Sequence, residues 1–393
     1  MLNILALEPW YGGSHRNFLD GLIRHSRHRF HAVTMAPRYR RWRMHGGAVT
    51  MARKALQAWD EGFRPDVIFA TNMVNLPAFL SLTRSKLAHV PVILYFHENA
   101  LTYPLPEGKE RDPAFGYINY LSCLAADRVL FNTRFHMEEF LEALPQLLRA
   151  FPDYTHLDAV QEIRAKASVL YPGIDLSAHD QYAGDRRPRY WGPGMPPPII
   201  LWNQRWEYDK APEVFLRVMN RLDDAGHRFR LILAGERFEE QPYELDKAFE
   251  RYADRILHYG YAEDFEEYSR LLHRADIIVS TARHEFFGVA VLEAIYCGCH
   301  PLLPNRLSYP ELIPEPLHRP LLHAPTLYED EEELYRLLSA LLKGEERPLP
   351  PERLREIPAH LDWKRHVEAY DRLFEEVAGT TPARPDEAMA ATA

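Results

Sequence analysis

The chain has 393 residues, 46% hydrophobic and 26% charged, enough for two domains with a core each. Its 47 Lys and Arg against 56 Asp and Glu leave a net charge of −9, which excludes a broadly basic nucleic-acid binder, so an anionic partner must be met by a local patch. Cys123, Cys297 and Cys299 lack zinc or disulfide-framework spacing and point to reduced core residues of a cytoplasmic protein.

Taken in order, the chain starts on a short apolar run, residues 1–7, without a basic leader; no signal peptide is expected, and no apolar stretch is long enough to span a membrane. Strands are predicted at 3–7, 30–35, 66–70, 91–97, 128–132 and 168–171, from apolar, β-branched runs bounded by polar residues. Helical periodicity lies between them at 16–27, 49–60, 77–87, 114–126 and 135–149. This alternation predicts an α/β fold with a doubly wound parallel sheet over 1–175. Residues 176–197, rich in Pro, Gly and charge, read as a linker. The alternation then repeats over 198–361, with strands at 199–202, 229–234, 256–259, 276–280 and 300–303. Its helices are expected near 211–226, 241–253, 264–274, 289–297 and 329–343. A last helix over 362–378 is expected to pack on the first domain, and 379–393, small and polar, to be disordered. A monomer is the default.

Polar groups cluster where strands end. Glu8 closes the first strand and is followed by Gly12, Gly13, Ser14 and His15 at a helix start, where glycines let a phosphate or sugar approach; Ser14 reads as a helix N-cap. His97, Glu98 and Asn99 follow the fourth apolar strand, a placement awkward in a core and natural at a ligand. Arg205 and Lys210 share the loop after the first strand of the second half. Glu285 and Glu293 flank Phe287-Gly288 at a strand–loop–helix junction. Finally Arg38, Tyr39, Arg40, Arg41, Trp42 and Arg43 interleave arginines with aromatics beyond the second strand, a pattern suited to phosphates and unpaired bases.

The spacing of Glu285 and Glu293 resembles the E-x7-E motif of retaining GT-B glycosyltransferases, whose fold is two Rossmann-like domains facing across a cleft. More closely, the stretches Trp10–His15, Tyr95–Asn99, Trp202–Glu207 and His284–Val289 resemble the tRNA-queuosine α-mannosyltransferase family, with the motifs in family order over about residues 2–375. The resemblance implies transfer of mannose from GDP-mannose to the cyclopentenediol of queuosine in the anticodon of tRNA-Asp. It implies catalytic roles for His97, Glu285, Arg205 and Lys210. Donor binding would fall to Gly12, Gly13, Asn203, Arg205, Lys210, Glu285, Phe287, Gly288 and Glu293. Acceptor or tRNA binding would fall to His15, Glu98, Asn99, Arg38, Tyr39, Arg40, Arg41, Trp42 and Arg43. No Asp-x-Asp sequence occurs, so no metal and no other cofactor is expected. Two alternatives stay open: a retaining glycosyltransferase acting on a glycan or glycolipid, and a non-catalytic RNA-binding module on the same scaffold.

Overall fold

The computed structural model describes the chain except residues 106, 107, 109, 185–194, 237–246, 248, 249 and 380–393. The chain forms two compact units, one of residues 1–173 with 363 onward, the other of 174–362.

In the first unit six parallel strands line up in the order β2-β1-β3-β4-β5-β6. They are β1 (Asn3–Glu8), β2 (Arg29–Thr34), β3 (Val67–Thr71), β4 (Val92–Phe96), β5 (Arg128–Phe131) and β6 (Ala167–Val169). Between them run α1 (Gly13–His25), α2 (Arg40–Asp60), α3 (Leu76–Leu87), α4 (Pro113–Ala125), α5 (Arg134–Arg149) and α6 (Ala159–Lys166). Both faces of this sheet are covered, so its central strands are apolar throughout, yet the period of two survives. Leu5, Leu7, Ile68, Ala70, Leu94 and Phe96 join the core under α2–α6. Their neighbours Ile4, Ala6, Val67, Phe69, Ile93 and Tyr95 face α1 and the C-terminal helix.

The second unit repeats the plan, with strand order β12-β11-β10-β7-β8-β9. Its strands are β7 (Ile199–Asn203), β8 (Arg230–Ala234), β9 (Ile256–Gly260), β10 (Ile277–Val279), β11 (His300–Pro304) and β12 (Leu327–Tyr328). Its helices are α7 (Pro212–Asp224), α8 (Phe265–Arg274), α9 (Val289–Tyr296), α10 (Tyr309–Leu312), α11 (Glu315–His318), α12 (Glu331–Lys343) and α13 (Pro351–Glu356). The helix predicted at 241–253 lies largely outside the described residues. In place of the start of a linker, Leu176–Tyr182 forms a 3₁₀ turn of this unit.

The last helix, α14 (Trp363–Gly379), belongs to the first unit. Trp363 is buried, and its indole fills space left by two glycines. A Cβ on Gly21 would lie 2.1 Å from its Nε1, and one on Gly173 2.3 Å from its Cδ2. The Ser26 hydroxyl and the Arg27 amide donate to the Asp371 carboxylate, which ties α14 to the end of α1. The predicted tail from 380 lies outside the described residues. No described helix is long and apolar enough to cross a membrane.

The topology fixes where chemistry can sit. In each sheet the chain first builds outward from one strand, then returns to that strand's other side. The reversal falls between β1 and β3 in the first unit and between β7 and β10 in the second. Loops leaving the carboxyl ends of strands beside such a reversal splay apart and leave a crevice for ligands.

Candidate active site

At the first reversal, Glu8 ends β1 fully buried and its carboxylate organises the loop that follows. Oε1 accepts from the Trp10 amide at 2.8 Å, and Oε2 pairs with His15 Nδ1 at 3.1 Å. His97, just beyond β4, packs against His15 with the rings tilted at 41° and their centroids 4.2 Å apart, and its Nε2 lies 4.0 Å from Glu8 Oε2. That Nε2 is buried with no hydrogen-bond partner. The backbone of His97 is held from behind: its amide donates to Asn72 Oδ1 and its carbonyl accepts from Asn132 Nδ2.

The two imidazoles are driven apart electrically. Burial penalises charge on His15, but the adjacent Glu8 carboxylate outweighs it and raises the pKa above the usual value. For His97, burial and then the neighbouring His15 and His136 all act downward, holding it neutral well below the ordinary range. The pair thus presents one ring prone to charge and one kept neutral. Glu8, His15 and His97 place ligand atoms within 4.8 Å of one another, close enough to share a cation. The hydrogen bonds already made by both Glu8 oxygens account for the cluster as a loop-organising carboxylate with two imidazoles.

Around this cluster the structure sorts the predicted residues. Gly13 has φ +52° and open space where a Cβ would be, so glycine is required by the backbone and its surface is accessible. Gly12 is different: it caps α1, and a Cβ there would lie 2.4 Å from Pro37 Cγ, so internal packing rather than a ligand demands glycine. Ser14 is not the N-cap; it sits inside the first turn. Asn99, expected at the acceptor, is fully buried, and its Oδ1 accepts from the Leu101 and Thr102 amides, so it shapes the loop. Glu98 pairs with Arg40 Nη2 at 2.5 Å. The basic stretch is not a free loop, because Arg40–Arg43 form the first turn of α2.

At the second reversal, the loop after β7 brings Lys210 into near-complete burial. Its Nζ donates to the His284 carbonyl at 2.8 Å and lies 3.3 Å from Glu285 Oε2 and 3.2 Å from Asp209 Oδ2. Burial opposes the charge, but Glu285 and Asp209 prevail and raise the Lys210 pKa. Burial likewise pushes Glu285 upward, and Lys210 with the Phe287 amide overrides it, so the carboxylate stays ionised below its usual range. Thr281 Oγ1 donates to the Lys210 and Ala211 carbonyls at 2.9 and 3.0 Å, which locks this loop against the one leaving β10. Arg205 is half exposed, with its guanidinium 3.3 Å from Glu207.

Gly288 takes φ +96° and caps α9 without a side chain; its carbonyl accepts from the Val291 and Leu292 amides, and the Val289 and Ala290 amides are left without a side-chain cap next to Glu285, the partner of Lys210. An uncapped helix N-terminus flanked by a lysine is suited to a diphosphate. One and a half turns on, Glu293 Oε2 accepts from the Tyr268 hydroxyl at 2.7 Å, and Asn203 Nδ2 in turn donates to that hydroxyl at 2.9 Å. Asn203 is therefore a buried support for Tyr268 rather than a surface for the donor. The Phe287 ring is buried as well; what it offers is its amide, which donates to Glu285 Oε1 at 3.3 Å. Sequence reasoning passed over Tyr268 and buried His179, whose Nε2 lies 3.8 Å from Glu293 Oε1. Neither carries a local signal, since only the fold brings them to Glu293. Glu8 did carry one, an acidic residue ending an apolar strand.

Two family descriptions match these two units: "tRNA-queuosine alpha-mannosyltransferase N-terminal" over residues 3–174, and "Glycosyl transferases group 1" over residues 188–350. Sucrose-phosphate synthase from Thermosynechococcus elongatus shares the fold with a TM-score of 0.65 at 14% identity, over 97% of this chain and 100% of that one. The class is therefore a glycosyltransferase built from two Rossmann-like domains of the GT-B type. A tRNA-queuosine alpha-mannosyltransferase of Drosophila melanogaster is 35% identical over 322 residues, covering 80% of this chain and 82% of that one. A GDP-mannose:cellobiosyl-diphosphopolyprenol alpha-mannosyltransferase of Xanthomonas oryzae pv. oryzae is 26% identical over 235 residues, 58% of each chain. The chain belongs to the tRNA-queuosine alpha-mannosyltransferase family.

Proposed function

We propose that the chain transfers mannose from GDP-mannose to a hydroxyl of the queuosine cyclopentenediol in the anticodon of tRNA-Asp, with retention of configuration and without a metal. The observation that carries the donor half is the buried Lys210, held by Glu285 and the His284 carbonyl beside the uncapped start of α9. It supplies fixed positive charge where a diphosphate leaves. The acceptor half rests on the family match of the first unit.

In the proposed step the bond from the anomeric carbon to the β-phosphate oxygen breaks, and its electron pair goes to that oxygen. The acceptor hydroxyl oxygen bonds to the anomeric carbon from the same face, and its proton passes to the departing phosphate. Lys210, Arg205 and the α9 amides stabilise the charge that develops on the diphosphate. Glu285 positions sugar hydroxyls, and Glu293, steadied by Tyr268, receives the ribose diol. In the first unit His15, kept basic by Glu8, meets the diol beside neutral His97.

Nucleoside mass spectrometry after incubation with GDP-mannose and tRNA from cells with and without queuosine tests this. A hexose found on queuosine alone is expected, with activity unchanged by a chelator. Transfer to a lipid-linked glycan and to no tRNA would overturn the acceptor. Dependence on added divalent cation would overturn the metal-free step and direct attention to Glu8, His15 and His97.

A further inference from the structure

Along α2 side chains are buried according to the helix period from Met44 onward; at the start of the helix that rule breaks. Trp42 is 62% exposed and Tyr39 77%, although both are large and aromatic. An exposed indole is normally free to swing, but this one is laid against its own helix. A Cβ on Gly46, one turn further on, would lie 2.7 Å from Trp42 Cζ2 and 2.8 Å from Cε2 and Cη2. Gly46 therefore serves as a shelf. Its neighbour Gly47 has nothing nearer than 3.8 Å at the same point, so the two glycines are not equivalent. A glycine inside a helix lowers helix propensity, and at Gly46 what it gains is a flat, supported ring with one face to solvent.

The four arginines around the ring also separate. Arg40 is committed: it pairs with Glu98 at 2.5 Å and lies over the Tyr103 ring at 4.6 Å. Arg43 is turned back, with Nε donating to the Ala36 carbonyl at 3.1 Å. The Arg38 and Arg41 side chains are exposed and make no hydrogen bond or ion pair among the described residues, although the Arg38 amide donates to the Ala36 carbonyl at 2.8 Å. Tyr39 sits between them with φ 57° and ψ 59°, a left-handed conformation rare for an aromatic residue, and that turn starts the helix. The Arg40–Glu98 pair joins this surface to His97, one residue before Glu98.

We propose that Trp42, held flat by Gly46, is the platform on which an unpaired base of the anticodon loop stacks, with Arg38 and Arg41 on the flanking phosphates. Arg40 is a tether between the platform and the acceptor loop, not a phosphate contact. The inference rests on the tRNA reading above and names the surface of the chain that holds the RNA. An aromatic face with cations beside it, in a chain of net charge −9, fits single-stranded nucleic acid better than an acidic or neutral partner.

The test measures the KM for queuosine-containing tRNA and for GDP-mannose, and the Kd for tRNA, in Trp42→Ala, Trp42→Phe and Gly46→Ala. Trp42→Ala is expected to raise the tRNA KM and Kd roughly 5- to 100-fold, with the donor KM held. Trp42→Phe should recover most of that loss. Gly46→Ala is the decisive variant. It favours the helix, so its melting temperature should not fall, yet it lifts the indole off its shelf and should weaken tRNA binding several-fold. Parental tRNA KM in both Trp42→Ala and Gly46→Ala, with transfer to queuosine intact, would overturn the platform and leave the tRNA reading standing. A parent protein that binds and modifies no tRNA would overturn both.

Discussion

The Lys210 ammonium is nearly buried, and Asp209, Glu285 and the His284 carbonyl share it. Removing it therefore does two separable things. Lys210→Met strands two carboxylates, which should cost about 3–5 kcal/mol of stability in urea unfolding. It also withdraws the fixed charge at the leaving diphosphate, for which kcat should fall roughly 100- to 1000-fold. Adding Glu285→Gln to Lys210→Met neutralises one stranded carboxylate and should recover part of the stability but none of the activity. If activity returns with stability, Lys210 is structural only. The Glu8–His15 pair gives a second expectation. A histidine whose pKa rises on folding adds stability below its unfolded value, and loses that contribution as the pH climbs through the raised folded value. His15 is such a group, with Glu8 the raising cause. Glu8→Gln keeps the acceptor for the Trp10 amide and removes the charge. The His15 proton resonance, followed by NMR, should then titrate at lower pH, and the stability lost between slightly acid and neutral pH should shrink. An unmoved His15 midpoint would contradict the assignment. His97, depressed, contributes in the opposite sense: its share is present at higher pH and lost as pH falls. Of these residues, Glu8 and His97 stood out in the sequence as polar groups closing apolar strands, whereas Lys210 and Glu285 stood out through their resemblance to the E-x7-E pattern. Tyr268 was not, because on its own helix it is one tyrosine on an amphipathic surface.

At the scale of elements, periodicity placed every strand but β12, because two buried faces leave long apolar runs, and the two residues of Leu327–Tyr328 are too short to show one. It failed where a helix opens on residues that do not favour one. Predicted to begin at residue 49, α2 in fact begins at Arg40. The Gly46-Gly47 pair lowers the local propensity there, and what sustains the helix is tertiary: Met44 is buried in a small cluster with Met73 and Ile118. The C-terminal helix shows the complementary case. Its apolar spacing was visible, but its anchor was not, since Gly21 and Gly173 matter only as the walls around Trp363. Gly21→Ala should destabilise by about 1–3 kcal/mol through overpacking, and Trp363→Ala by about 3–5 kcal/mol through the cavity it leaves. In the double variant the methyl has no ring to strike, so the combined loss measured in urea should fall clearly short of the sum. Strict additivity would show that the indole does not occupy this slot.

At the scale of the whole molecule the charge balance constrains how RNA is held. A chain of net charge −9 repels a polyanion, so attraction must come from few contacts. Arg27 on the same unit is committed elsewhere: it pairs with Glu375 at 2.8 Å and also faces Asp371, holding the last helix. In the proposed surface those contacts are Arg38 and Arg41. Each phosphate neutralised contributes about −0.7 to −0.9 to the slope of log affinity against log salt, so two contacts give a slope of roughly −1.4 to −1.8. Between 50 and 200 mM salt, tRNA affinity should then fall by about one order of magnitude, far less than for a basic RNA-binding domain. Arg38→Ala with Arg41→Ala should flatten the slope towards zero, whereas Trp42→Ala should lower affinity at every salt concentration and leave the slope alone. Stacking and charge are thereby read from one titration. A slope as steep as −6 or below in the parent protein would mean that phosphates are met by a much wider surface than these two arginines.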